Sequence, residues 1–237
     1  MSIRAKLSIM MFLEFFIWGA WFPQVFGYLP ALGYSPLQQA LILATFNVAA
    51  LVGLFFSNQF ADRVMAAEKF LSLSQIVGGL AIAGLFFVKG PSSPVPGSVG
   101  DQLTDTGFLA FFGLLLLHSL LYVPTISITN SIAFANLKNP KDEFGPVRLW
   151  GTIGWIAAAW PFIFILTDWA KVPAFGSVGF GEWIGAALGT PLLGKEMIDG
   201  RAFTFLAACG ASVLLGLFSL SLPHTPPKPP PVGGESL

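Results

Sequence analysis

The stretch FGPVRLWGTIGW, residues 144–155, places a permanent cation, Arg148, at the head of an apolar run and follows it with Thr152 and Trp155. Read as a helix, positions i, i+4, i+7 and i+11 share a face, so Arg148, Thr152, Trp155 and Ala159 form one stripe. The apolar residues around that stripe suit a helix surrounded by lipid or by other helices. A guanidinium, a hydroxyl and an aromatic plane along one line suit a flat polar ring, stacked on the aromatic and hydrogen-bonded at its edge. The competing reading is an arginine that snorkels from a helix start to the headgroups.

The rest of the chain sets the context. Of 237 residues, 54% are hydrophobic and only 10% charged, and the mean hydropathy is +0.74. A soluble domain carries about a quarter charged residues, so this is an all-α polytopic membrane protein. The formal net charge of zero gives no sign of a nucleic-acid partner. The single cysteine, Cys209, excludes an intrachain disulfide and reads as a small packing residue. The N-terminal run is too long for a cleavable signal and has no small-residue cleavage site. No cofactor or metal signature is visible: there is no metal-spaced His/Cys cluster, no phosphate loop and no nucleophile elbow. GTIG, at 151–154, has no preceding strand and reads as a helix-packing sequence. Nothing indicates an enzyme.

Six runs are long enough to cross a bilayer, at about 7–31, 36–57, 70–88, 107–135, 147–166 and 203–222, giving a bundle over 1–222. Residues 223–237 form a proline-rich tail or linker. With the N-terminus inside, Arg4, Lys6, Arg63, Lys69, Lys138, Lys141, Arg148 and Lys228 fall on the cytoplasmic side. Only Lys89, Lys171, Lys195 and Arg201 fall outside, so both termini are expected in the cytoplasm. Residues 167–201 read as an extracytoplasmic loop, with Trp169 and Trp183 near the headgroups. The segment is long enough for a seventh span, but its glycines, prolines and Glu182 make it a poor helix in lipid.

Three further stripes carry polar groups. On the first helix, Glu14, Trp18, Trp21, Val25 and Tyr28 align, and Glu14 sits eight residues past Lys6, about 12 Å along the axis. A carboxylate at that depth must face a cavity or a hydrogen-bonding partner, or take part in proton coupling. On the fourth helix His118, Tyr122, Thr125 and Thr129 align, with Pro124 between them and Asn130 and Ser131 beyond. His118 can titrate near neutral pH or serve as a hydrogen-bonding packing residue. On the second helix Thr45, Ala49, Gly53 and Ser57 make a small-residue stripe that permits close helix approach.

The turn NQFADRVMAAEK, residues 58–69 with Asp62 and Arg63, resembles the loop after the second helix of major facilitator transporters, with Asn58 where glycine is usual. The stretches AKLSIMMFLEFFIWGAWF, LLYVPTISITNSIAFAN, VRLWGTIGW and LSLPHTPPK resemble, in order and spacing, the nucleoside:proton symporter family of that superfamily. The likeness covers the first half of the family's twelve helices. It implies a six-helix N-terminal bundle made of two inverted repeats, with substrate held at the midplane against a second six-helix bundle. It assigns Arg148 and Thr152 to the nucleoside and puts Trp155 where characterised members have phenylalanine. Glu14, where some relatives have glutamine, is then a cavity or proton-linked candidate together with His118, Tyr122 and Thr125. Asp62 and Arg63 form a conformational latch, or else a short loop obeying the positive-inside rule. The expected activity is proton-coupled nucleoside transport across a bacterial-type inner membrane. The alternatives are a non-transporting split or truncated subunit, or a transporter of another small solute such as a sugar.

Overall fold

The computed structural model describes residues 1–56, 65–93 and 97–227, and the side chains of 54–56 lie outside the description. Among the described residues eight α-helices follow in order: α1 Ile3–Ala31, α2 Pro36–Phe56, α3 Ala67–Gly84, α4 Val99–Thr104, α5 Thr106–Asn136, α6 Pro140–Ile165, α7 Phe180–Gly189 and α8 Gly194–Ser219. A 3-10 turn, Leu85–Phe87, prolongs α3. Among the described residues α1, α2, α3, α5, α6 and α8 are long and apolar enough to cross a membrane. The described residues therefore form an all-helical bundle with six candidate membrane spans.

Local chemistry sets the helix ends. The Ser2 hydroxyl accepts the Ala5 amide at the start of α1, and the Asp105 carboxylate accepts the Phe108 amide at 2.8 Å at the start of α5. Asp105 also accepts the Ser92 and Ser93 amides. Burial pulls its carboxyl upward, but these backbone donors outweigh burial and hold it below the usual carboxylate range. α5 stays helical through Pro124.

Two boundaries correct the reading from sequence. Helix α6 begins at Pro140, well before the expected start at 147. Proline is preorganised for a first helical position, and Asp142 and Glu143 in the first turn suit the positive end of the helix dipole. Arg148 is consequently not at the head of its helix but eight residues in, about 12 Å along the axis. Helix α8 begins at Gly194 rather than 203, so its charged first turns, with Lys195, Glu196 and Asp199, are helical. The segment taken as a loop at 167–201 also holds α7, whose ten residues span about 15 Å and are too short to cross.

The dominant packing pairs are α1 with α6, α5 with α2, α1 with α8, α5 with α3, and α3 with α8. Exchanging the first three crossing helices (α1, α2, α3) for the last three (α5, α6, α8) leaves this set of pairs unchanged. That is the signature of two equivalent three-helix repeats, and an odd number of crossings inverts the second against the first.

Glycines allow the closest approaches. A Cβ on Gly154 would lie 2.2 Å from the Phe12 carbonyl oxygen, and one on Gly19 would lie 2.7 Å from that of Trp155. Gly151 meets the Phe15 ring, so GTIG does serve helix packing. Gly79 and Gly216 do the same for α3 and α8, facing Ser212 and Ile76. The α2 stripe turns inward: Thr45, Ala49 and Gly53 are buried, Gly53 next to Pro124 of α5. Helix α5 supplies the surface that this stripe approaches. Ser57 lies outside the described residues. The exposed side of α2 is instead Val48, Leu51 and Val52.

Just beyond α8, His224 and Thr225 are fastened to the bundle. The Thr225 carbonyl accepts the Ala67 amide at 3.0 Å, the Thr225 amide donates to Glu68 at 3.0 Å, and His224 Nδ1 lies 2.8 Å from the same carboxylate. Asn136 at the end of α5 donates to the Thr225 hydroxyl. These bonds tie the tail to the ends of α3 and α5.

Candidate functional site

Two groups of residues meet where α1, α2, α5 and α6 adjoin. The outer group is aromatic. Trp18 stacks on Phe46 at 5.0 Å between ring centroids, and Trp155 stands edge-on to Trp18 at 4.7 Å. Phe22 closes the cluster, 5.6 Å from Trp18 and 6.3 Å from Trp155. Such offset and edge contacts are worth about 0.5–1.5 kcal/mol each beyond burial. The Arg148 guanidinium lies over the Phe15 ring, 3.9 Å from its centroid. Arg148 and Trp155 are half-buried and Thr152 is exposed. Among the described residues Arg148 has no ion pair. Among the described residues nothing pairs with its hydrogen-bonding edge, while its flat face lies on Phe15. A groove of about 430 Å³ lined by Ala5, Ser8, Ile9, Phe12 and Trp150 lies along the same α1–α6 seam.

The inner group is a buried polar knot. Glu14 is fully buried and accepts from the Thr125 hydroxyl at 2.7 Å and from Gln75 Nε2 at 3.0 Å. Gln75 Nε2 also donates to Thr125 at 2.9 Å, and its Oε1 accepts from the Ser212 hydroxyl at 2.6 Å. The Tyr122 hydroxyl donates to the Glu14 carbonyl at 2.6 Å. The knot joins α1, α3, α5 and α8. A buried carboxyl without a cation is costly unless it is fully hydrogen-bonded, and two helices, α3 and α5, supply its bonds. Tyr122, whose ring centroid is 6.5 Å from that of Phe46, links the knot to the aromatic group.

His118 is fully buried, with Nδ1 2.9 Å from the Gly78 carbonyl and its ring parallel to Tyr122 at 5.3 Å. Its Nε2 has no partner among the described residues. The Thr129 hydroxyl bonds back to the Ile126 carbonyl within its own helix. Asn130 and Ser131 are half-buried. The structure therefore brings Arg148, Thr152 and Trp155 onto one side of α6, and places Glu14, Tyr122 and Thr125 together behind the aromatic layer. Asp62 and Arg63 lie outside the described residues. Sequence reading missed Gln75 and Ser212, although a lone glutamine within LSLSQIVGG is itself a signal. It also missed Phe15 and Phe46, which nothing in a chemical motif would single out.

Six candidate membrane spans arranged as two three-helix repeats, with an arginine and aromatics on one seam, are the architecture of half a major facilitator fold. The chain belongs to the nucleoside H+ symporter family, whose sequence pattern matches residues 1–174. This is a membrane transporter family, not an enzyme family. YegT of Escherichia coli K12, a candidate nucleoside transporter, is 34% identical over 228 residues, covering 96% of this chain and 44% of YegT. The xanthosine permease of the same organism is 25% identical over 231 residues, covering 95% of this chain and 44% of the permease. The crystal structure of the nucleoside transporter NupG superposes with a TM-score of 0.66 at 22% identity, covering 95% of this chain and 45% of that one. The chain thus spans a little under half the length of these relatives.

Proposed function

We propose that this chain forms one wall of a proton-coupled nucleoside transporter that works by alternating access. The observation that carries the reading is the α6 face: a guanidinium with a free edge, a hydroxyl and an indole, beside the Trp18–Phe46 stack. A nucleoside offers a flat base to such aromatics, where stacking is worth about 1–3 kcal/mol per base. Its polar edges suit the planar fork of arginine. Arg148, Thr152 and Trp155 are the proposed substrate contacts, and a second six-helix bundle supplies the opposite wall. The proposed setting is a bacterial-type inner membrane with both termini cytoplasmic, in keeping with an even number of crossings and the Lys/Arg bias. Asp62 and Arg63 are proposed as the latch between conformations.

The test joins residues 1–237 to the part of YegT that the chain does not cover and follows uptake of a radiolabelled nucleoside. Saturable uptake that rises with an inward proton gradient and is displaced by unlabelled nucleoside supports the reading. Displacement by sugars instead would change the substrate class.

Glu14 is assigned to holding the knot rather than to carrying the proton. In the joined protein, Glu14→Gln is expected to keep gradient-driven uptake. An amide there still accepts from Gln75 and can donate to Thr125, whose own proton then goes to the Tyr122 carbonyl. Glu14→Leu removes the acceptor from both donors, with an expected loss of about 1–3 kcal/mol of stability. Uptake that persists in Glu14→Gln but no longer responds to the gradient would make Glu14 the proton site.

A further inference from the structure

We propose that α7 and the residues flanking it form an interfacial anchor, lying in the membrane–water boundary at the Leu166 end of α6, with the lipid surface as its partner. This goes beyond the transport reading and does not depend on it. The sequence of the segment is the first observation. Between Lys171 and Lys195 the only charged residue is Glu182, an unusual composition for a loop bathed in water. At ten residues α7 has the length of an interfacial helix, short of a crossing one.

Its faces are sorted. At 100° per residue, Trp183, Ala187, Phe180, Ile184 and Leu188 occupy one arc, while Gly181, Gly185, Gly189 and Glu182 occupy the opposite side. The middle of the apolar arc rests on the protein's own helix end, with Ala187 buried. Its flanks are open: Phe180 is 70% exposed and Leu188 53%. Phe175, before the helix, is 76% exposed and Leu193, after it, 70%. Exposed apolar groups gathered in this way mark a binding surface.

The depth of this surface is fixed by hydrogen bonds to the end of a spanning helix. The Thr167 hydroxyl donates to the Ala187 carbonyl at 2.9 Å, the Asp168 amide to Thr190 at 2.8 Å, and the Leu192 amide to Leu166 at 2.7 Å. The Trp169 indole donates to the Phe164 carbonyl at 3.0 Å, meeting one of the last carbonyls of α6. A ladder of rings then climbs from the span into the loop: Trp160 to Phe164 at 6.3 Å, Phe164 to Trp169 at 6.4 Å, Trp169 to Trp183 at 5.9 Å, and Trp183 to Phe175 at 5.1 Å. Trp160 is exposed on the outer side of α6. The ladder therefore runs from an exposed tryptophan of α6 into the loop beyond the helix end, the position of an aromatic belt in a membrane protein. The face opposite the apolar arc carries no lysine or arginine, so binding rests on apolar area rather than on anionic headgroups.

The experiment places an environment-sensitive fluorophore at Phe180→Cys, Leu188→Cys or Glu182→Cys in a Cys209→Ala background. Each full chain is reconstituted in phosphatidylcholine vesicles, with and without phosphatidylglycerol. Quenchers are nitroxides near the lipid headgroup, nitroxides at mid-chain, and iodide on both sides of the membrane. The expected result is quenching at 180 and 188 about twofold stronger from the headgroup position than from mid-chain, as suits a burial of 5–10 Å. Iodide should reach 182 but not 180 or 188, and phosphatidylglycerol should change nothing. Native tryptophan emission matching the unlabelled protein checks that each variant keeps the bundle. Iodide reaching all three positions alike would mean a water-exposed loop and overturn the proposal. So would stronger mid-chain quenching, which means insertion, or shielding of 180 and 188 from both lipid and iodide, which means a protein partner covers them.

Discussion

Arg148→Ala in the joined two-bundle protein is expected to lower nucleoside uptake efficiency by roughly 10- to 100-fold, the equivalent of losing one hydrogen bond to a charged group at about 1.5–3 kcal/mol. The structure gives two reasons to expect the large end. The guanidinium lies flat on Phe15, so its orientation is fixed before substrate arrives. It also has no carboxylate partner among the described residues, so its edge is free for a ligand. Arg148→Lys should restore little, because an ammonium keeps the charge but loses the planar fork and the stacking. Trp155→Ala should weaken nucleoside binding more than Trp155→Phe, since phenylalanine keeps a ring beside Trp18. Wild-type uptake in Arg148→Ala would reduce the arginine to a headgroup anchor.

Gly154→Ala is the second substitution expected to have a large effect, although it adds one methyl group. That methyl would sit 2.2 Å from the Phe12 carbonyl oxygen, a backbone atom that cannot swing aside. The α1–α6 pair must then separate, which moves Trp155 and Arg148 relative to Trp18 and Phe15. Overpacking of this kind costs about 1–3 kcal/mol and occasionally more, and a forced backbone shift belongs at the upper end. Gly113→Ala is the control: it is exposed on α5 with nothing near its Cβ position, and alanine is the better helix former by about 0.5–1 kcal/mol. Thermal unfolding in detergent should show Gly154→Ala strongly destabilised and Gly113→Ala unchanged or slightly more stable. Equal melting of the two would mean that α1 and α6 do not meet as closely as described.

Much of this architecture is legible in the chain itself, for identifiable reasons. Six long apolar runs separated by polar turns leave little choice of fold. The 3.6-residue period places Arg148, Thr152 and Trp155 on one face before any coordinates are seen. What the sequence hides is mostly partnership. Nothing in the spacing around Glu14 says that Gln75, sixty-one residues away, and Thr125 receive it. The four-residue stripe from Thr45 shows that α2 packs closely, but not that α5 is the helix it packs against. Boundaries fail where local signals conflict. Gly145 and Pro146 lie just before the start expected at 147, yet the first-position proline and acidic first turn at Pro140 begin α6 ahead of them. The charged residues after Gly194 read as loop, although they form the first turns of α8. The glycines of α7 read as helix-breaking, while its apolar arc, resting on the end of α6, holds it helical.

If this chain is one wall of a two-walled transporter, it transports only when the second wall is present. Radiolabelled nucleoside uptake is followed into proteoliposomes holding residues 1–237 alone, and into others holding the same chain joined to a second six-helix bundle, each with and without an inward proton gradient. Saturable, gradient-driven uptake is expected only in the joined protein, because the substrate face of α6 needs an opposing wall to close a cavity. Saturable, gradient-driven uptake by residues 1–237 alone would contradict it.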